Sequence, residues 1–325
     1  MMHKRSKSCE PYSKMEDHRA GCSHGGATSR DDSAAGSRAP PSSAAAAQCS
    51  TVSVYLAKIG GAARLVTAVW NKNLINQSFT ISIDRPAGAG DGDGPATHKV
   101  ELKPWPFWSK KGSKTLDVGG GERVDVFWDL RGAKFAGGGG SGSSPEPAAG
   151  YYVAVVSGDE VVLLLGDGKK DAYKRTKSRP SLEDAVLVCR RESVFGRRSF
   201  AARARLDARR GGKEHDIVVE CSPAAGGAAG VRDPEMWVTV DGFVLLHVKN
   251  LQWKFRGNET VLVDHAPVQV IWDVHDWLFA GPGSSQAAFV FKPGAPPEIK
   301  EDTGGNGIQS EGDDFCFFLQ AWRTE

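Results

Sequence analysis

The amino-acid sequence predicts an all-β protein made of two tandem, internally duplicated antiparallel β-sandwich or barrel units, with a disordered N-terminal tail. Three observations predict this class: short β-branched and aromatic runs recur from residue 51 onward, turn residues separate them, and one run repeats at a fixed offset. Long helical segments between the runs are missing, which disfavours a parallel α/β fold. A chain of 325 residues, 40% of them apolar, is long enough for one large or two small domains.

Residues 1–49 are predicted to be a disordered, low-complexity tail. The first 50 residues contain no Val, Ile, Leu, Phe or Trp, so burial cannot offset the entropy of ordering them. Glu10, Glu16 and Asp17 follow the basic start where a secretory signal needs an apolar region. The same acids count against an organellar transit peptide, although the Ser and Arg content allows one. We therefore expect a cytoplasmic or nuclear protein that is not secreted.

The cysteines are scattered without the spacing of a disulfide framework, which is typical of a reducing compartment. We expect free thiols at these six positions: Cys9, Cys22, Cys49, Cys189, Cys221 and Cys316. Cys9 could join His18, Cys22 and His24 around zinc, but the spacing matches no familiar site and no folded scaffold surrounds it. The sequence therefore predicts no metal site and no cofactor.

Sixteen runs are typical of strands because β-branched and aromatic residues dominate them and turn residues bound them. They span residues 52–57, 65–70, 79–83, 99–102, 115–118, 124–128, 151–156, 160–165, 200–206, 217–221, 236–240, 243–248, 260–263, 268–272, 288–291 and 315–321.

Short turns at 157–159 and 241–242 predict two antiparallel hairpins. The one plausible helix covers 181–189, after Pro180 and with Ser181 as its cap, although its Val-rich end could equally be a strand.

An internal repeat gives the strongest signal, since residues 124–137 match residues 268–281 at a constant offset of 144. Seven of the 14 positions are identical, where roughly one identity is expected by chance. We infer a tandem duplication, with a first β repeat at 50–175, a basic linker at 176–197 and a second β repeat at 198–325.

The repeat also indicates a role for the aspartate that each copy contains. Trp128 and Trp272 alternate with valines, which places each of them on a strand face directed at a core. Asp129 and Asp273 then fall where each strand ends, a position at which aspartate commonly accepts hydrogen bonds from the next turn's amides. The alternative is an acid-base dyad in which these two carboxylates face each other across a pseudo-twofold axis.

Charge is concentrated near the junction of the repeats. Residues 169–214 contain fifteen Lys and Arg against six Asp and Glu, whereas the whole chain carries a formal charge of +2. Such a run could bind phosphoinositide, RNA or an acidic protein, or it could be a solvated linker. The candidate anion-binding residues are Lys169, Lys170, Lys174, Arg175, Lys177 and Arg179.

A second candidate surface mixes aromatic rings with cations, a combination that binds nucleic-acid bases, sugars or lipid head groups. Core and inter-domain packing is the alternative explanation for its tryptophans. Its residues are Trp105, Trp108, Lys110, Lys111, Trp253 and Arg256.

Enzyme motifs are missing from the sequence: it contains no G-x-S-x-G elbow, no P-loop and no H-E-x-x-H, and we assign no catalytic residue. No apolar run approaches the roughly 18 residues of a spanning helix, so we expect no transmembrane segment. These features favour a non-enzymatic binding or scaffolding protein whose protein partner is unknown. The alternatives are a peripheral anionic-lipid or RNA binder that uses the basic hinge, which is the run at residues 169–214, and an enzyme with a site between the repeats.

Several long strings give the chain a family resemblance over about residues 48–325. They are Lys103-Pro104-Trp105, Phe107-Trp108, Trp128-Asp129, Lys174-Arg175-Thr176-Lys177-Ser178-Arg179-Pro180, Pro234-Glu235-Met236-Trp237 and Leu251-Gln252-Trp253-Lys254-Phe255-Arg256-Gly257-Asn258. With these strings the sequence closely resembles the plant family catalogued as domain of unknown function 868. The resemblance implies a plant protein, and it brings no activity, cofactor or catalytic residue with it.

Overall fold

Alternating apolar and polar residues determine which strand faces become buried. A computed structural model describes residues 49–73, 76–86, 94–102, 110–135, 144–206, 213–222, 233–280, 285–294 and 315–323. The tail predicted to be disordered, except for Cys49, lies outside these residues. All of the described residues belong to one compact unit, residues 44–325.

The described residues form strands joined mainly by turns, which confirms the all-β class. The strands are β1 Cys49–Ile59, β2 Ala62–Lys72, β3 Gln77–Ile83, β4 Ala96–Glu101, β5 Lys111–Asp117, β6 Arg123–Asp129, β7 Tyr152–Ser157, β8 Glu160–Gly166, β9 Arg179–Pro180, β10 Val186–Gly196, β11 Ser199–Arg205, β12 Glu214–Ser222, β13 Glu235–Val240, β14 Phe243–Val248, β15 Arg256–Val263, β16 Ala266–Asp273, β17 Gln286–Pro293 and β18 Cys316–Arg323. Two short helices accompany them, α1 Lys169–Thr176 and α2 His275–Phe279. Each of the sixteen runs identified in the sequence overlaps one strand.

The strands form two sandwiches with separate hydrophobic cores. In the first sandwich, side chains of β1–β4 and of β5–β8 share one core, which includes Trp70, Phe79 and Trp128. In the second, side chains of β11–β14 and of β15–β18 share another, which includes Phe289 and Trp272. The order of elements is the same in both halves, and the sheets are open at their edges, so the sandwich alternative holds within the described residues.

Strand β10 joins the two sandwiches into a continuous sheet. It pairs antiparallel with β1 and parallel with β18, which gives a nine-stranded sheet in the order β15-β16-β17-β18-β10-β1-β2-β3-β4. The remaining sheets are β11–β14 and β5–β9. One sheet of each sandwich therefore belongs to the same hydrogen-bonded ladder.

The prediction of a helix at 181–189 is wrong, whereas the alternative prediction of a strand at its Val-rich end is confirmed. Residues 181–185 are irregular and β10 begins at Val186. Val186 and Val188 are β-branched and suit a pleated sheet, and neighbouring strands on both sides supply ladder partners to β10. Tertiary pairing thus outweighs the local capping signal. The range expected as a basic linker contains β9 and β10.

Both predicted hairpins are present, with β7 paired to β8 and β13 paired to β14. In the second hairpin Asp241 and Gly242 have φ values of 50° and 84°. Positive φ at both central residues matches the Asp-Gly turn that suits the twist of paired strands.

The duplication is confirmed at the level of side-chain packing. Trp128 on β6 and Trp272 on β16 are buried, with 7% and 6% exposure, and they stand opposite Gly112 and Gly257 on the neighbouring strands. A Cβ atom at Gly112 would lie 2.7 Å from the ring of Trp128, and one at Gly257 would lie even closer to the ring of Trp272. The glycine and the tryptophan therefore form one packing unit in each repeat.

Candidate anion-binding surface

Helix α1 places the beginning of the basic hinge on the outer face of the first sandwich. Its Ala172 is fully buried and its Tyr173 is half-buried, and both pack on a small apolar cluster of the β5–β9 sheet. Tyr152, Ala154 and Val156 of β7 form the floor of this contact. The helix is attached through these few apolar residues, so its other side faces solvent.

The cations of α1 point into solvent. We call them the α1 surface, which consists of Lys169, Lys170, Lys174, Arg175 and the C-cap residue Lys177, all of them exposed. Within the described residues, none of the five forms an ion pair. Arg179 differs, because its guanidinium lies 2.8 Å from the carboxylate of Glu160. The structure thus brings five of the six predicted anion-binding residues together and pairs the sixth with a carboxylate.

The charges of α1 complement the helix dipole at the C-terminal end and only in part at the N-terminal end. Lys174 and Arg175 occupy the last turn, where cations complement the helix dipole. Lys169 and Lys170 occupy the first turn, where the dipole disfavours cations, and Asp171 is the only acid in the helix. Lys169 and Lys170 therefore gain nothing from the helix dipole, whereas Asp171 complements it in the same turn.

The end of strand β6 adds cations beside α1. Asp129 lies 3.2 Å from the Nζ of Lys111 and 2.8 Å from the guanidinium of Arg131. Burial raises the pKa of Tyr152, as does Asp129, whereas Arg175 of α1 and Arg131 act in the opposite direction. Arg175 and Arg131 therefore both lie close enough to Tyr152 to affect its pKa. Sequence reasoning missed Arg131, which no motif singles out.

The predicted aromatic-basic surface is divided between the two repeats. Trp105 and Trp108 lie outside the described residues. Lys110 and Lys111 lie at the start of β5, an edge strand of the five-stranded sheet. Trp253 and Arg256 lie at the start of β15, an edge strand of the nine-stranded sheet.

Trp253 has an exposure of 81% and is therefore not a core residue. Arg256 lies 2.8 Å from the carboxylate of Asp273 and 5.5 Å from the ring centre of Phe255. Lys111 and Arg256 thus occupy equivalent places in the two repeats, since each stands opposite the aspartate that ends the neighbouring strand.

Asp129 and Asp273 have the structural role that the repeat predicts. Oδ1 of Asp129 accepts a hydrogen bond from the backbone N–H of Arg131 at 3.3 Å. Oδ1 of Asp273 accepts one from the backbone N–H of His275 at 3.1 Å. Burial raises the pKa of Asp129, but the hydrogen bonds from Arg131 and Lys111 outweigh it and hold this pKa below its usual value. Each carboxylate is bound to cations of its own repeat, which leaves no shared dyad.

A second group of charged side chains, centred on Arg190 of β10, is buried and structural. The guanidinium of Arg190 on β10 lies 2.7 Å from the carboxylates of both Glu146 and Glu192. The hydroxyl of Tyr151 donates to Glu146 at 3.2 Å, and Glu192 has an exposure of only 3%. Burial lowers the pKa of Arg190, but Glu146 and Glu192 outweigh it and raise this pKa, so the guanidinium stays charged. These charges stabilise the junction and are not offered to a partner.

Metal and membrane features are absent from the part of the chain that the structure describes. No group of three or more His, Cys, Asp or Glu side chains there is arranged to hold a metal ion. Neither described helix has the length or apolarity needed to cross a bilayer.

Cys189 and Cys316 stand opposite each other on β10 and β18.

Fold and surface together define a class: an internally duplicated β-sandwich protein with a solvent-facing basic helix on one sandwich. The chain belongs to the family described as plant protein of unknown function (DUF868), whose model matches residues 46–323. Comparison with curated proteins and with solved structures gives no significant match.

Proposed function

We propose that this protein is a non-enzymatic binding module of the plant cytosol or nucleus that attaches to phosphoinositide-containing membranes through the α1 surface. The observation that carries the proposal is the cluster of five exposed cations on α1 without carboxylate partners among the described residues. Clustered Lys and Arg side chains attract anionic head groups, with about 1 kcal/mol for each residue near the surface.

A lipid head group fits the α1 surface better than RNA does. Binding of single-stranded RNA combines cations with aromatic side chains on which the bases stack. The aromatic rings at α1 are turned inward, since Tyr152 is buried and Tyr173 packs on the sheet. Eight helical residues extend over about 12 Å, which is a compact area suited to one or a few multiply charged head groups.

The test is co-sedimentation of the full chain with phosphatidylcholine vesicles that contain about 5% phosphatidylinositol bisphosphate, compared with vesicles of phosphatidylcholine alone. The wild type should bind the first and not the second, and binding should weaken as salt rises because the attraction is screened. The double variant Lys174→Glu/Arg175→Glu should lose at least about tenfold in partition coefficient, since it reverses two surface cations.

The matched control is Lys249→Glu/Lys254→Glu, which changes the net charge equally at exposed positions of the second sandwich. This control should bind within about twofold of the wild type if the site is local. Equal losses in both double variants would show a net-charge effect. Binding to a single-stranded RNA but not to the vesicles would overturn the lipid assignment and favour RNA.

A further inference from the structure

The duplication makes it possible to compare the outer faces of the two equivalent sheets. Trp128 is in register with Val153 of β7, and Trp272 is in register with Phe289 of β17. By the same registers Phe127 corresponds to Ile271, and the neighbouring outward positions correspond in pairs. The pairs are Tyr152 with Ala288, Ala154 with Val290, and Leu164 with Phe318.

In the first sandwich this face is covered. Tyr152 and Ala154 have exposures of 3% and 0%, because Ala172 and Tyr173 of α1 pack on them. A short amphipathic helix that contributes one alanine and one tyrosine is therefore enough to bury this part of the fold.

In the second sandwich the equivalent face is open. We define the open face as Ile271, Ala288, Val290 and Phe318; Ile271 has an exposure of 37%, Ala288 is exposed, and the other two are half-buried. On the edge strand β15, Leu262 has an exposure of 64% and stands opposite Pro267, four residues from Ile271 along β16. Within the described residues no helix lies over this face, since α2 directs its buried Trp277 into the core against Phe200.

Cations border the open face. The guanidinium of Arg191 lies over the ring of Phe318 at 5.9 Å, and Lys292 is exposed two residues after Val290. Neither cation forms an ion pair within the described residues. On the outer face of β15–β18 the carboxylate of Asp273 is paired with Arg256, whereas the exposed Glu259 of the edge strand β15 lies in register with the core-facing Val270. The helix of a second copy is a poor occupant, because α1 is itself basic and like charges repel.

We propose that the open face is a docking site for an acidic amphipathic helix of a partner protein. Small and apolar residues of that helix pack on Val290 and Phe318 in the way that Ala172 and Tyr173 pack on the first sandwich. Its acidic flank faces Arg191 and Lys292. The site lies on a different sandwich from the α1 surface and does not depend on the function proposed for that surface.

The test is selection from a phage-displayed library of random peptides about 16 residues long, or about four helical turns, against the full chain. Selected peptides should be acidic, with apolar or small residues at helical spacing. A synthetic winner, followed by fluorescence anisotropy, should lose at least about tenfold in affinity with Lys292→Glu, because the charge contact becomes repulsive.

Two further variants locate the contact. Ile271→Lys places a charge in the apolar surface at a position that is already partly exposed, and it should weaken binding at least about tenfold. Lys249→Glu, on the second sandwich away from the open face, should stay within about twofold, as should the vesicle-defective Lys174→Glu/Arg175→Glu. This last variant separates a failure here from a failure of the lipid proposal.

Three outcomes overturn the proposal. One is that selection yields no acidic amphipathic peptide. Another is that the selected peptides bind Ile271→Lys and Lys292→Glu as well as they bind the wild type. The third is that sedimentation shows a dimer which Ile271→Lys dissociates, which would assign the open face to a second copy of this chain.

Discussion

Each repeat requires a glycine opposite the buried tryptophan of the neighbouring strand, because a Cβ atom there would collide with the indole ring. Gly112→Ala and Gly257→Ala should each destabilise the fold by about 1–3 kcal/mol, because overpacking forces the indole or the strand to move. Gly257→Ala should cost more, since the space above Gly257 is the tighter of the two. Urea unfolding measures both, and Gly94→Ala is the control because nothing lies within 4 Å of a Cβ atom there. Wild-type stability in both variants would contradict this packing unit.

The aspartates at the strand ends are equivalent in position but not in environment. The side chain of Asp129 is 17% exposed and binds two cations, whereas that of Asp273 is 46% exposed and binds one. Their equivalent places in the two repeats predict that Asp129→Ala and Asp273→Ala lower the melting temperature by comparable amounts. From the structure we expect Asp129→Ala to lower the free energy of unfolding by about 1–3 kcal/mol, which is more than Asp273→Ala should lower it. The reason is that the groups that donate hydrogen bonds to Asp129 are less accessible to water.

The pH dependence of stability gives an independent check on Asp129. Its pKa is lower in the folded protein than in the unfolded chain, so its ionised form stabilises the fold above the unfolded pKa. This contribution is lost as pH falls through the folded pKa. The difference in unfolding free energy between wild type and Asp129→Asn should therefore be largest near neutral pH and should shrink below about pH 4. A difference that grows on acidification would contradict the assignment.

At the scale of elements, the buried ion pairs of Arg190 should make strand β10 sensitive to substitution. Arg190→Met leaves Glu146 and Glu192 without their cation in a largely buried site, which should cost about 3–5 kcal/mol. The control Arg203→Met removes an ion pair with Asp216 in which both side chains are about 60% exposed, so it should cost less than about 1 kcal/mol. Denaturant unfolding of the two variants compares these costs, and equal costs would show that the buried cluster is not holding β10.

Sequence patterns predicted every strand whose own residues alternate, and they failed where structure depends on distant neighbours. Strand β10 shows no clean alternation, because Arg190 and Glu192 face inward and satisfy each other there. Helix α1 has eight residues, too few for a helical period to stand out, and only Ala172 is fully buried. The basic residues were identifiable from composition, but their separation into exposed cations on α1 and a buried cluster on β10 depends on tertiary contacts. The position of Arg131 near α1 also depends on tertiary packing, and its charge is paired with Asp129.

At the scale of the whole molecule, the two repeats share their internal packing but differ on their outer faces. Both repeats keep the sandwich core, the glycine–tryptophan unit and the aspartate at the strand end. They differ in what lies outside, with a basic helix on the first sandwich and an open apolar face on the second. The two proposed surfaces lie on different sheets, the α1 surface on β5–β9 and the open face on the nine-stranded sheet, so the proposed membrane contact and the proposed helix contact share no residue.

At the scale of the whole molecule, the nine-stranded sheet should make the two sandwiches unfold as one unit. We propose residues 50–175 and 198–325 as the two repeats, with β10 between them hydrogen-bonded to a strand of each. Calorimetry of the wild type should give one transition whose calorimetric and van't Hoff enthalpies agree. Arg191→Pro removes a backbone donor from this central strand and adds a ring that the ladder does not accommodate, so it should split the transition into two. The exposed substitution Arg191→Ala keeps the backbone donor and should preserve the single transition. Two transitions in the wild type would instead show that the sandwiches are independent domains and that β10 is a linker in the thermodynamic sense.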